Sequence, residues 1–223
     1  VTSSLHDTLI PLFSEIRLGF GRIIRWQKFV QHLPIRHESL LEHTFDTALL
    51  ALVASEIVDI AHPELKLDKY KILACALLHD VPEVRTGDIA YAEKRSIHEI
   101  EEAWALRSMF QLLPGSVRER LEYSFALQSD TIAGTLDCGG SEETPEARVF
   151  EFVERYGYLL FALEQVQEDV KNLPLLAHVL QMQTDRLIFL ISALPGLGQI
   201  LDRGALRELQ AVIQHEAPVN VER

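Results

Sequence analysis

Apolar side chains recur at helical spacing along almost the whole chain, and no stretch alternates apolar and polar residues for long enough to predict a strand. Leu40, Leu41, Thr44, Ala48, Leu52 and Ile57 follow this period, with Glu38, Glu42, Asp46 and Glu56 mostly between them. That is the pattern of a helix with one face in a core. Ser39, with Glu42 three residues on, predicts a capping box at its start. A second helix is predicted over 69–79, apolar in its last turns and therefore central. Segments 97–113 and 117–127 are amphipathic and are parted by the turn pair Pro114 and Gly115. Pro145 suits the first turn of a long helix running to about residue 172. Pro174 restarts a helix to about residue 194, 195–198 breaks it, and a last helix covers 205–215. Residues 129–144, rich in Ser, Thr, Gly and Asp, predict a loop. With no internal repeat, the expectation is an all-α, irregular helical bundle: one domain over 1–223, with 196–223 a C-terminal helical extension.

Composition narrows the function. With 48% hydrophobic residues the chain can bury a real core, so disorder is excluded. A formal net charge of −12 argues against a nucleic-acid partner, because such proteins carry basic faces. A small phosphorylated ligand stays open, since local charge decides that contact. Two cysteines make no disulfide framework and form no CxxC pair. Cys75 lies in an apolar run and reads as a small hydrophobe, and Cys138 in a glycine-bearing loop. The first residues lack a basic segment and include Asp7, unlike a secretory signal. The longest apolar runs, 72–78 and 187–190, fall far below the roughly 20 residues of a membrane span. A cytoplasmic chain with no membrane partner is the expectation.

One stretch concentrates chemistry. Leu77-Leu78-His79-Asp80-Val81-Pro82-Glu83 ends an apolar helix in two adjacent metal-capable side chains. Burying an unpaired charge there costs several kcal/mol, and a metal ion is one answer. Asp80 as a simple cap of the next turn is another. Glu42-His43 stands on the preceding long helix, so helix packing can bring His43 beside His79. Two imidazoles with one or two carboxylates suit one divalent ion of the Mn, Co, Fe or Zn class. Glu83 follows His79 by four residues and would share its face on a continuing helix, although Pro82 interrupts that continuity. It reads equally as a first-turn carboxylate favoured by the helix dipole. Between Glu15 and Glu38 there is no acid, yet Arg17, Arg22, Arg25, Lys28 and Arg36 occur, with Trp26 adjacent. This window is a candidate phosphate site, arginine's planar fork suiting phosphate oxygens; a solvated helix face is the alternative. Asp88 after Gly87 is ordinary turn chemistry. The other histidines show no ligand partner in sequence.

The ordered set resembles a known family. Arg25-Trp26, then Arg36-His37-Glu38-Ser39-Leu40-Leu41-Glu42-His43, then His79-Asp80-Val81-Pro82-Glu83-Val84-Arg85-Thr86-Gly87-Asp88 is similar to the HD-domain phosphohydrolases. Within them it resembles most the bacterial 5′-deoxynucleotidase group, over roughly residues 10 to 170. The resemblance implies His43, His79 and Asp80 as metal ligands and Glu83 as the general acid/base for an attacking water. Arg25 and Trp26 would hold the nucleotide, and Asp88 would contact the sugar. The family's fourth ligand is an Asp on a late helix. Counting back from Leu163-Glu164 lands here on Glu154, one methylene longer, with Glu151 as a substitute. The implied activity is release of phosphate from (deoxy)nucleoside 5′-monophosphates by a cytoplasmic homodimer. Action on another phosphate ester, a nucleotide-binding module without turnover, and a helical interaction protein with no ligand remain alternatives.

Overall fold

The computed structural model describes residues 5–26, 35–88, 96–129 and 144–216. Its helices are α1 (Leu5–Arg22), α2 (Leu40–Ala61), α3 (Lys69–Leu78), α4 (Glu83–Thr86), α5 (Ser96–Met109), α6 (Gly115–Phe125), α7 (Pro145–Glu168), α8 (Leu173–Ala193) and α9 (Arg203–Glu216). The fold is all-α, as the periodicity predicts. Most of the predicted loop at 129–144, with Cys138, and Lys28 lie outside the described residues.

Local sequence chemistry sets the helix starts. Ser39 Oγ accepts from the Glu42 amide at 3.3 Å, and Glu42 Oε2 accepts from the Ser39 amide at 2.8 Å. Both halves of the predicted capping box are therefore present, a device worth about 1 kcal/mol. Asp68 caps α3 by accepting from Lys71 N at 3.0 Å. Thr144 caps α7 ahead of Pro145, accepting from Ala147 N at 3.2 Å.

Three features differ from expectation. Helix α1 was not predicted, because Leu12 and Phe20 are its only fully buried apolar residues and Pro11 and Gly19 interrupt its pattern. Helix α7 stops at Glu168; Asp169 turns extended, and a 3-10 turn, Val170–Asn172, leads into α8. A short antiparallel ladder, β1 (Ile24–Arg25) on β2 (Glu38–Ser39), pairs Ile24 with Ser39 and Arg25 with Glu38. Two-residue strands are too short for alternation to reveal.

Two apolar clusters hold the molecule together. The larger joins α2, α3, α7, α8 and α9 through residues such as Ala51, Ile72, Phe152, Leu159, Leu180, Leu187, Leu206 and Ile213. The smaller joins α1, the start of α2, α5, α6 and the residues after α3 through Phe20, Leu40, Val81, Leu106, Phe110 and Phe125. Helix α2 belongs to both, with Leu40 in one and Ala51 in the other. The turns between them carry buried polar residues instead: His43, Thr44 and Thr47. The candidate site occupies this polar seam.

Candidate metal centre

His43 comes from the first turns of α2, His79 and Asp80 from the end of α3, and Glu154 from the middle of α7. Their ligand atoms converge. His43 Nε2 and His79 Nε2 lie 3.3 Å apart. Asp80 Oδ2 is 3.1 Å from His79 Nε2 and 3.5 Å from His43 Nε2. Glu154 Oε1 is 3.2 Å and 3.6 Å from the same two nitrogens. Ligands bonded at about 2.1 Å to one ion stand about 3.0 Å apart in an octahedral shell and about 3.4 Å apart in a tetrahedral one. The five separations fall in or close to that range.

Two further observations fit a cation. Asp80 Oδ2 and Glu154 Oε1 are buried and accept no hydrogen bond, a costly state for carboxylate oxygens unless something else pairs them. His79 Nδ1 faces the Ala76 carbonyl at 2.9 Å. A carbonyl can only accept, so Nδ1 carries a proton, and Nε2 is the ring atom that would meet a metal once it gives up its own proton.

The cluster's own charges are consistent with this. Burial disfavours charge on His79, Asp80 and Glu154, but opposite charges outweigh it. Asp80 and Glu154 push the His79 imidazole up to about 9 against its burial. Against the same cost, His79 and His43 hold Glu154 at about 2. Asp80, beside His79, Arg25 and His43, lies well below the usual carboxylate range. Two carboxylates ionised at neutral pH therefore face two imidazoles, and a divalent cation binding there competes with protons.

Glu154 and Glu151 part ways in the structure. Glu151 is 3% exposed and is held by Arg186 at 2.7 Å and 2.6 Å, with Arg155 Nε at 3.4 Å. Three residues along an α-helix leave two side chains about 60° apart around the axis and nearly one turn apart along it. That offset brings Glu151 to Arg186 on α8 and leaves Glu154 at the histidines. The substitute role considered for Glu151 is not what the packing provides.

The remaining candidates are placed differently. Pro82 breaks α3 from α4: the chain winds past it by short turns, Val81 N to Leu78 O and Glu83 N to Asp80 O, each at 3.0 Å. His79 and Glu83 thus lie on separate helices, yet Glu83 is buried at the first turn of α4. Helix α1 clamps α4 in place. A Cβ on Gly19 would come within 2.5 Å of Val84, and Glu15 accepts from Arg85 Nε at 2.7 Å. Asp88 is half-buried, two residues beyond α4 and just past Gly87, whose φ is +82°.

Arg25 is buried, with Nη1 4.0 Å from Asp80 Oδ2. Burial opposes its charge, but Tyr158, Asp80, Glu38 and Glu154 hold its pKa above the ordinary value. The basic window does not form one patch among the described residues. Arg17 and Arg22 are exposed, and Arg36 pairs outward with Glu42 at 3.3 Å and Glu164 at 3.7 Å. Trp26 adopts a left-handed φ of 65°, unusual for a bulky residue. Its Nε1 donates to Glu38 Oε2 at 2.7 Å, and its ring stacks on Phe161 at 4.9 Å.

Sequence reasoning missed Glu38 and Tyr158. Glu38 is buried, with Oε1 3.8 Å from His43 Nδ1, a carboxylate behind a candidate ligand of the kind that orients metal-site histidines. The signal was its pairing with Arg25 across the ladder, invisible without the fold.

Fold and site together define an all-helical protein built around a buried centre of two imidazoles and two carboxylates. The chain belongs to the HD domain family: the family model matches residues 23–186. The 5′-deoxynucleotidase HDDC2 of Mus musculus is 29% identical over 140 residues, covering 61% of this chain. The chain matches about 59% of the length of that relative. Two archaeal structures share the fold, each with TM-score 0.63, 20% identity and coverage of 91% of this chain and 99% of theirs. They are the PH0347 protein of Pyrococcus horikoshii OT3 and a conserved hypothetical protein of Pyrococcus furiosus.

Proposed function

We propose that this chain is a metal-dependent phosphohydrolase that releases phosphate from nucleoside 5′-monophosphates, deoxynucleotides first among them. The observation that carries the reading is the buried His43–His79–Asp80–Glu154 cluster with a buried arginine against its edge. The HD family membership and the name of the mouse relative support it. A divalent ion held by these four residues would polarise a phosphoryl oxygen and lower the pKa of water toward neutrality.

The chain's own groups divide the rest of the work. Arg25 offers a planar cation to the phosphoryl oxygens. Glu83 takes a proton from the attacking water and returns one to the leaving oxygen. Trp26 walls the nucleotide. Asp88 contacts the sugar 3′-hydroxyl, and crowding there disfavours a ribose 2′-hydroxyl. Glu38 keeps His43 oriented.

The test is phosphate release from a panel of deoxy- and ribonucleoside 5′-monophosphates, using chelated protein restored with Mn, Co, Zn or Mg. Metal-restored release that favours the deoxy set is the expected result. No release with any ion, from protein shown to bind metal, would defeat the assignment. The homodimer is part of the same proposal, supported by the exposed stripe Leu41, Phe45, Leu49, Leu52 and Val53 on α2. Light scattering should give twice the 25.3 kDa chain mass; a monomer at micromolar concentration removes that element. Among the described residues no helix is long and apolar enough to cross a membrane.

A further inference from the structure

Tyr158 stands on α7 one turn beyond Glu154 and belongs to none of the motifs that mark the site. Its hydroxyl accepts a hydrogen bond from Arg25 Nη2, across 133 residues of sequence. Its ring lies beneath the same guanidinium, Cζ 4.8 Å from the ring centroid. Trp26 meets that ring edge-on at 5.6 Å, and the His43 ring is 6.1 Å away. Tyr158 is thus packed from several sides and cannot swing freely.

The consequence falls on Arg25. A guanidinium is planar, so fixing one terminal nitrogen and one face fixes where the other nitrogen points. With Nη2 held by Tyr158, Nη1 faces the metal cluster, 4.0 Å from Asp80 Oδ2. That Nη1 is buried and donates no hydrogen bond, although the residue is only 6% exposed. A buried arginine N–H with no acceptor is costly, and an anionic oxygen within hydrogen-bond reach of it, beside the cluster, would satisfy it. We infer that Tyr158 is the positioning residue that aims Arg25 Nη1 at the phosphoryl group, an inference that rests on the phosphohydrolase reading. Because Tyr158 and Glu154 share one helix face, the bond also sets the distance between anion pocket and metal centre.

The experiment uses the full, metal-loaded chain with inorganic phosphate as the probe, its binding measured by calorimetry. Metal affinity and nucleotide turnover are measured in parallel. Tyr158→Phe keeps the ring and removes the hydroxyl. It should weaken phosphate binding by about 10- to 100-fold, the usual range for losing a hydrogen bond to a charged group, with metal affinity unchanged. In an Arg25→Ala background the same change should add nothing further, because the tyrosine acts through the arginine. Arg25→Lys keeps the cation and loses the fork; it should reproduce the weakened binding and reads the contact from the other side should Tyr158→Phe not fold. Phosphate binding equal to wild type in Tyr158→Phe, additive losses in the double variant, or a parallel loss of metal affinity would each overturn the inference. Wild-type protein that binds phosphate through this pair yet hydrolyses no ester would sink the phosphohydrolase reading and leave the positioning role standing.

Discussion

His79→Ala is expected to remove stoichiometric metal and to reduce phosphate release to background. His79 Nε2 is the centre of the cluster, within 3.1 to 3.3 Å of Asp80, Glu154 and His43. It is also the ligand best prepared by its surroundings, its Nδ1 hydrogen anchored on the Ala76 carbonyl. Alanine leaves one imidazole and two carboxylates, a poorer set for a borderline ion. It also takes away the charge that most lowers the pKa of Asp80 and Glu154, so protons compete better for the oxygens that remain. An ion held there would lower the pKa of water toward neutrality, so its loss should take most of the turnover at neutral pH with it. Metal content by mass spectrometry and phosphate release should fall together in protein shown to be folded by circular dichroism; the chelated variant should also melt lower, because Asp80 and Glu154 lose the imidazole that faces them. Full turnover in a metal-free variant would end the mechanism.

Arg186→Leu should destabilise the protein strongly while sparing the centre. Glu151 is 3% exposed, and Arg186 holds both its oxygens in a fork, at 2.7 Å and 2.6 Å. Removing one member of a buried pair leaves the other charge without its partner, a loss of about 3 to 5 kcal/mol. Arg155 Nε, 3.4 Å from Glu151 Oε1, offsets part of this, so a cost near the lower end is expected. For a chain of this size each kcal/mol shifts the melting temperature by about 2–4 °C, which predicts a fall of about 6–12 °C by calorimetry. Metal affinity should stay within a few-fold, since Glu154 keeps its own contacts to His43 and His79. Loss of metal with unchanged stability would mean that Glu151, not Glu154, serves the centre.

Much of this molecule was legible before folding. Helical periodicity, the Ser39–Glu42 box and the prolines at 145 and 174 placed the main helices, because each signal acts within one or two turns. His79 and Asp80 were legible because a polar pair closing an apolar helix is expensive unless partnered. Between Glu151 and Glu154 the family resemblance pointed to Glu154, but local pattern could not separate them. Three residues apart on one helix, they are alike in sequence, and only the packing of α7 between α8 and the histidines separates an ion pair from a candidate ligand. The basic window looked like a patch because sequence counts charges without directions; the β1–β2 ladder turned Arg25 inward, while Arg36 pairs outward. Glu38 and Tyr158 were missed for the same reason, their roles resting on neighbours brought from distant parts of the chain. The sequence by itself determined an all-helical chain with His43, His79 and Asp80 as metal-capable candidates, since those rest on local pattern and side-chain chemistry. Tertiary structure alone decided what Glu151 pairs with instead and what holds Arg25 against the cluster, because these depend on where separate helices meet.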